Sequence, residues 1–347
     1  MIAWLSQQGP SHPKHQGWHH PVATCLVHYG AVGAVSVGAH DALVHHYYAA
    51  VDRDRDTYYS LLPASSTAGN AELHSSSVTA TAFCILVYAV WLLIWRLGIH
   101  HQPAVHSSAV LYEYCWLCNV TLVLSAAALY YQRPVIASAC CVVVGIDQLL
   151  WYVDLAVYGA TGTFPVGVSK YIFWKGTSWK TRITCTHHLW TLPVLLKAAG
   201  GLHFMALPLS VPIMVTNVCL SRWMTPSHII VVPVAKTTGA KTTGAATADA
   251  SATSASADPS PLATQTTTMT TTTTTTTKYL NVNLSHELWK DISIRQLQIH
   301  KDHPAVHVYL WRLLWRWAVF NSLVFGLLHC LCSRLLGGAP MLGPVHR

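Results

Sequence analysis

Acidic, cysteine and histidine side chains lie inside the long apolar stretches of this sequence, where contact with lipid disfavours them. Between Leu73 and Arg222 the chain has three acids, Glu113, Asp147 and Asp154. Each would cost about 2.5 to 3.5 kcal/mol at the centre of a bilayer if it had no partner. Acids placed at such a cost are expected to bind a partner or to take part in chemistry.

Cys118 and His188 are the candidate nucleophile and general base. Cys118 ends the motif CWLC, Asn119 follows it, and His187 and His188 form an adjacent pair later in the chain. A thiol needs a neighbouring base to become an effective nucleophile, and a carboxylate such as Asp147 would orient the imidazole. We therefore predict a catalytic set of Cys118, His188 and Asp147, with His187 as the alternative base.

The same residues also have plainer interpretations. The acids could hold neighbouring helices together by pairing with histidines, and Cys118 could be a small packing residue. Carboxylate, thiol and imidazole groups also bind zinc or iron. However, adjacent histidines in a regular helix point about 100° apart, and neither HxxxH nor HExxH surrounds His187 and His188. The pattern therefore predicts no metal site.

The composition places these residues in a membrane protein. Charged residues make up 10% of the chain and hydrophobic residues 52%, whereas about a quarter of a typical soluble chain is charged. The net charge of +8 comes from bases scattered singly among apolar runs. This scatter excludes a nucleic-acid binder and makes membrane lipid the expected partner. No motif indicates which membrane is involved or the oligomeric state.

Apolar runs of about 20 residues predict the number of membrane-spanning helices. Six such runs are present, at residues 78–97, 109–130, 134–158, 183–199, 202–220 and 307–336. A moderately apolar stretch at residues 21–50 is interrupted by glycines, His40 and Asp41 and leaves a further span open. The predicted fold is an all-α, polytopic integral membrane bundle of about six helices.

The chain divides into four segments by composition. Residues 1–76 form an N-terminal extension that is expected to be targeting or partly helical, and residues 77–222 form a five-helix membrane core. Residues 223–280 are rich in Ala and Thr and end in a run of threonines at 270–277. Such a segment cannot bury a core, so we predict a disordered loop. Residues 281–347 complete the chain with an interfacial segment and the last spanning helix.

Helical geometry predicts where the polar residues lie in depth. A rise of 1.5 Å per residue puts Glu113 and Cys118 about 6 and 14 Å from the start of the second helix. It puts Asp154 and Asp147 about 6 and 16 Å from the end of the third helix. Those two ends open on the same side of the membrane. We therefore predict one polar cavity in one leaflet, lined by the catalytic set together with Glu113, Asn119 and Asp154.

A further indication comes from five sequence blocks: LYEYCWLCNVTL (111–122), GIDQLLWYVDL (145–155), FPVGVSKYIF (164–173), THHLWTLPVLL (186–196) and NVN (281–283). Together they resemble a functionally uncharacterised family of polytopic membrane proteins found in bacteria and algae. The resemblance covers residues 109–199 well and residues 279–332 loosely.

More distantly, the order of features is similar to a six-helix group that includes androgen-induced transmembrane hydrolases and an ether-phospholipid acyltransferase. In that group a Thr or Cys nucleophile lies on one helix and a His on a later one. This resemblance implies Cys118 as nucleophile and His188, or alternatively His187, as base. The expected function is a membrane-embedded lipid acyl transferase or hydrolase. The alternatives are a non-catalytic scaffold, a small-molecule carrier or a metal-binding membrane protein, and no cofactor is indicated.

Overall fold

The computed structural model describes residues 20–51, 68–99, 104–175, 177–226, 228–231, 276–279, 282 and 306–335. In these ranges the chain forms helices α1 (Pro21–Val51), α2 (Ala68–Ile99), α3 (Ala104–Tyr114), α4 (Leu117–Tyr130), α5 (Pro134–Thr161), α6 (Trp179–Thr184), α7 (His187–Ala198), α8 (Ala206–Met224) and α9 (Val306–Leu335). A 3-10 turn at Lys170–Phe173 and a two-stranded ribbon, β1 (His228–Val231) and β2 (Thr276–Tyr279), complete the described structure. The predicted fold class, an all-α membrane bundle, is confirmed.

Four of these helices are long and apolar enough to cross a membrane, within the described ranges. The candidate spans are Pro21–Leu43, Ser76–Gly98, Pro134–Thr161 and His307–Leu331. The stretch at residues 21–50, which the sequence left open, is one helix of spanning length. The predicted count of about six is not confirmed, because the runs at 109–130, 183–199 and 202–220 are not among the four.

The run at residues 109–130 is broken into two helices at Cys115 and Trp116. Trp116 has an extended backbone, with φ −58° and ψ 141°. The amides of Cys115 and Trp116 donate to carbonyl groups three residues earlier, which tightens the end of α3. Cys118 therefore lies in the first turn of α4, not midway along one continuous helix.

The run at residues 183–199 is also divided. The short helix α6 ends at Thr184, and α7 has 12 residues. Twelve residues extend about 18 Å, whereas the hydrocarbon core is about 30 Å thick. Helix α7 is therefore too short to span. Helix α8 has 19 residues and contains Pro212.

Helix α5 is the central helix of the described bundle. Helices α4, α7, α8 and α9 all pack against it. In the apolar stretch of α5, 72% of the residues are buried, compared with 22% in each of the other three candidate spans. Gly145 permits the close approach of α9, since a Cβ atom there would lie 2.5 Å from Val324 Cγ1. This central position brings the side chains of α5 against both α4 and α7.

The Ala/Thr-rich segment differs from the predicted loop at its two ends. Helix α8 continues to Met224, and β1 pairs with β2 in an antiparallel register that places His228 opposite Tyr279 and Val231 opposite Thr276. Threonine is β-branched and favours strands, so the end of the threonine run can pair. Residues 232–275, which hold most of the predicted loop, lie outside the described residues, as do residues 1–19 of the N-terminal extension.

Candidate functional site

Three side chains with reactive or metal-binding atoms meet between α4 and α7. The sulfur of Cys118 and one ring nitrogen each from His187 and His188 lie within 4.8 Å of one another. His187 and His188 are buried and Cys118 is half-buried. The structure thus brings together the thiol and both imidazoles singled out in the sequence, while their chemical roles stay predictions.

The two histidines converge although they are adjacent in the chain. Their ring centroids are 4.2 Å apart, and the ring planes are inclined by 32°. The two rings therefore do not point far apart, as adjacent positions on a regular helix would suggest. Two rotatable bonds carry each ring several ångströms from its Cα atom, so the side-chain rotamers can bring together rings that start from adjacent positions.

His188 is held by three side chains of α5. The indole of Trp151 stacks on its ring, with centroids 4.5 Å apart and an interplanar angle of 14°. His188 Nδ1 lies 3.4 Å from Asp147 Oδ2 and 3.2 Å from Gln148 Nε2. Gln148 Oε1 is buried and has no hydrogen-bond partner in the described part of the chain.

The Asp147 carboxylate can only accept at His188 Nδ1, so it favours the tautomer with hydrogen on Nδ1 and a lone pair on Nε2. The Gln148 amide suits that tautomer when its oxygen faces Nδ1, an orientation that differs from the one in the structure by a 180° rotation of the amide group. Gln148 was not singled out in the sequence. The available signal was an amide next to Asp147 in an otherwise apolar helix.

His187 is fixed by the backbone. Its Nδ1 lies 2.8 Å from the carbonyl oxygen of Thr184, so an Nδ1–H group donates to that oxygen. Its Nε2 is buried and has no hydrogen-bond partner among the described residues. The backbone bond thereby sets the tautomer and leaves a lone pair on a buried nitrogen.

Asp154 has a different environment from Asp147. Its carboxylate is buried and accepts hydrogen bonds from the backbone N–H groups of Val166, Gly167 and Ser169 at 2.9 to 3.0 Å. The Ser169 hydroxyl lies 3.4 Å from the same group. Asp154 therefore fixes the segment that follows α5.

Glu113 and Asn119 stabilise the junction of α3 and α4. Asn119 Nδ2 donates to the backbone carbonyl of Glu113 at 3.2 Å, which ties the first turn of α4 to the end of α3. Neither residue belongs to the group formed by Cys118, His187 and His188, whose sulfur and ring nitrogens lie within 4.8 Å of one another. Of the predicted site residues, the structure gathers Cys118, His187, His188 and Asp147, and it leaves Glu113, Asn119 and Asp154 outside that cluster.

Arg96, in the last turn of α2, is a further neighbour of the site. Its Nε donates to Thr184 Oγ1 at 3.3 Å, and its Nη2 lies 3.8 Å from Cys185 Sγ. It is close enough to act electrostatically on Cys118 and both imidazoles. The N-terminal end of α4, where Cys118 lies, adds partial positive charge. Both features favour negative charge on sulfur or on a reacting group.

Comparison with known proteins finds no family model, no curated protein and no solved structure that matches this chain.

Proposed function

We propose that this membrane protein is a lipid acyl transferase or hydrolase in which Cys118 is the nucleophile and His188 the general base. One observation carries the proposal: the Cys118 sulfur meets the imidazole nitrogens within 4.8 Å, while Asp147 Oδ2 lies 3.4 Å from His188 Nδ1. Thiol, imidazole and carboxylate stand in the order of nucleophile, base and orienting acid.

The proposed reaction proceeds through a thioester. His188 accepts the thiol proton of Cys118, and the thiolate attacks the carbonyl carbon of a lipid ester. The alcohol leaves with the proton held by His188, and the acyl group stays on sulfur. His188 then takes a proton from an acceptor hydroxyl or from water, whose oxygen attacks the thioester. The sulfur leaves as a thiolate and recovers the proton, so the cycle is a transfer or a hydrolysis.

The surroundings of the cluster support an ester substrate in the membrane. The described bundle has four helices of spanning length and composition, so lipid is the abundant source of acyl esters. The Arg96 guanidinium lies near the thiol and the imidazoles, where positive charge would stabilise the oxyanion of a tetrahedral intermediate. We also propose kinship with the six-helix hydrolase and acyltransferase group, supported by the order of the features along the chain, with Cys118 on one helix and His188 on a later one.

Trapping of the acyl-enzyme tests the proposed function. The full chain, purified in detergent with a chelator present, would be mixed with phospholipid and with short-chain esters, quenched in acid and digested for mass spectrometry. We expect an acyl group on Cys118 that hydroxylamine removes. Cys118→Ala should abolish it, and His188→Gln should slow its formation by about a hundredfold or more.

Cys84→Ala is the matched control, because Cys84 is exposed on α2. This variant should acylate at the wild-type rate. Acylation that persists in Cys118→Ala, or the absence of a thioester with every ester, contradicts the proposed function. Either result favours a non-catalytic scaffold or a small-molecule carrier.

A further inference from the structure

His187 has no part in the proposed acyl transfer, yet its environment is unusually specific. The Thr184 carbonyl holds the Nδ1–H group, and the buried Nε2 lacks a hydrogen-bond partner among the described residues. A buried polar atom without a partner costs about 1 to 3 kcal/mol. A histidine whose other ring nitrogen donates to a backbone carbonyl is the arrangement found for metal-binding imidazoles.

His188 has the same type of support on its Nδ1 side. Asp147 Oδ2 lies 3.4 Å from that nitrogen, and the Gln148 side chain lies 3.2 Å from it. A carboxylate in this position orients a metal-binding ring and makes its other nitrogen a better donor to the metal. Both imidazoles of the cluster therefore have the outer partners that a metal site requires.

The spacing of the three donor atoms suits a single ion. In a tetrahedral zinc site, bonds of about 2.0 to 2.3 Å put neighbouring ligand atoms about 3.3 to 3.6 Å apart. The Cys118 sulfur and the two ring nitrogens already lie within 4.8 Å of one another. Small rotations of these side chains would close the remaining gap of about 1 Å.

We propose that Cys118, His187 and His188 bind a thiophilic transition-metal ion of the Zn²⁺ class, with the fourth coordination position open. One thiolate and two imidazoles are the donors that zinc prefers, whereas Mg²⁺ and Ca²⁺ prefer oxygen. Binding releases the thiol proton to solvent. The thiolate and the Asp147 carboxylate offset the charge of the ion and of the nearby Arg96.

This inference goes beyond the proposed function and does not rest on it. A metal-bound sulfur is not free to attack an ester, and a metal-bound imidazole nitrogen cannot accept a proton. Metal binding and thiol acylation would therefore exclude each other at this cluster. Zinc is expected to protect Cys118 of the wild-type protein from alkylation by iodoacetamide, and a chelator should restore the reaction.

Cobalt and zinc binding to the chelator-stripped full chain test the site. Because the sequence has 22 histidines, stoichiometry alone would not locate the ion. Co²⁺ should give a thiolate-to-cobalt charge-transfer band in the wild-type protein, and Cys118→Ser should lose it. In competition with a fluorescent zinc chelator, His187→Gln and His188→Gln should each weaken Zn²⁺ binding by about tenfold or more.

Two control variants separate this site from other donors. Cys84→Ser changes an exposed thiol, and His203→Gln changes a half-buried imidazole whose Nδ1 accepts from Met205 N–H. Both should keep the cobalt band and the wild-type zinc affinity. The proposal is overturned if the wild-type protein lacks the thiolate band, if Cys118→Ser retains it, or if His187→Gln binds zinc as tightly as the wild type.

A measurement on the wild-type protein guards against variants that fail to fold. X-ray absorption of the zinc-loaded chain should show one sulfur and two imidazole ligands, and a shell without sulfur contradicts the proposal. The two proposals fail separately. Zinc binding without an acyl-enzyme overturns only the proposed function, and an acyl-enzyme formed by a chain that binds no zinc overturns only the metal site.

Discussion

Asp147 and Asp154 lie two turns apart on the same helix, yet they have opposite environments. Asp154 is buried, and three backbone N–H groups and a hydroxyl surround its carboxylate. The side chain of Asp147 is 38% exposed and lies 3.4 Å from His188 Nδ1. The carboxylate with many partners organises the backbone, and the carboxylate with spare acceptor capacity adjoins the thiol and the imidazoles.

The two aspartates show that a polar side chain in a membrane bundle can either hold the backbone in place or take part in chemistry. A buried carboxylate that accepts several backbone hydrogen bonds has a fixed position. A partly exposed carboxylate beside an imidazole can orient the ring and respond to what the ring binds. Three substitutions test how far this distinction holds.

Asp154→Ala is expected to have the largest effect on stability. It removes the acceptor for the N–H groups of Val166, Gly167 and Ser169 and leaves these groups without partners in a buried site. We expect a loss of about 3 to 5 kcal/mol in the free energy of unfolding. Thermal unfolding in detergent and proteolysis within residues 162–178 would measure it. If Asp154→Ala lowers the free energy of unfolding by no more than Asp147→Ala does, the proposed difference between the two aspartates is wrong.

Asp147→Asn is expected to change chemistry more than stability. Because Asp147 is partly exposed and has one close contact to His188, the free energy of unfolding should fall by less than about 1 kcal/mol. The rate of Cys118 acylation should fall by about a hundredfold at saturating ester, because the asparagine amide orients the imidazole poorly. Asp147→Glu, which keeps the charge, should recover part of the rate. An unaltered rate in Asp147→Asn would assign Asp147 a packing role.

Arg133→Gln provides the smallest expected effect. Arg133 Nη1 lies 2.6 Å from Asp41 Oδ1, but the side chains are 34% and 55% exposed. Ion pairs in such surroundings contribute about 0 to 1 kcal/mol. We expect the unfolding temperature to shift by a few degrees at most, and the shift should shrink in high salt. A larger loss of stability that does not depend on salt would contradict the idea that the exposure of Asp154, Asp147 and Asp41 ranks their contributions to stability.

The sequence predicted the class of the fold and the main chemical groups. Low charge and long apolar runs indicate a helical membrane protein, and three of the predicted runs coincide closely with the candidate spans Ser76–Gly98, Pro134–Thr161 and His307–Leu331. Regular helical rise also led to the prediction that Cys118 and His188 line one cavity, but it did not give the distance between the thiol and the imidazoles. These features depend on composition and on regular helical rise, which the sequence encodes locally.

The sequence did not predict the break that begins α4. Trp116 and Leu117 continue the apolar pattern of the run, so periodicity shows no boundary there. The extended backbone of Trp116 is accompanied by the hydrogen bond from Asn119 Nδ2 to the Glu113 carbonyl. This break places Cys118 at the positive end of a helix dipole, a position that the depth along one continuous helix could not show.

Composition and run length therefore determined that this chain forms a helical membrane protein with reactive polar groups inside it. The tertiary structure decided which helices are long enough to span, that both imidazoles approach the Cys118 thiol, and that Asp147 and Asp154 have different partners. The physical reason is that burial by lipid acts on each segment separately. Hydrogen-bond partners and side-chain rotamers depend on groups that only packing brings together, such as Gln148 beside His188 and Arg96 beside Thr184.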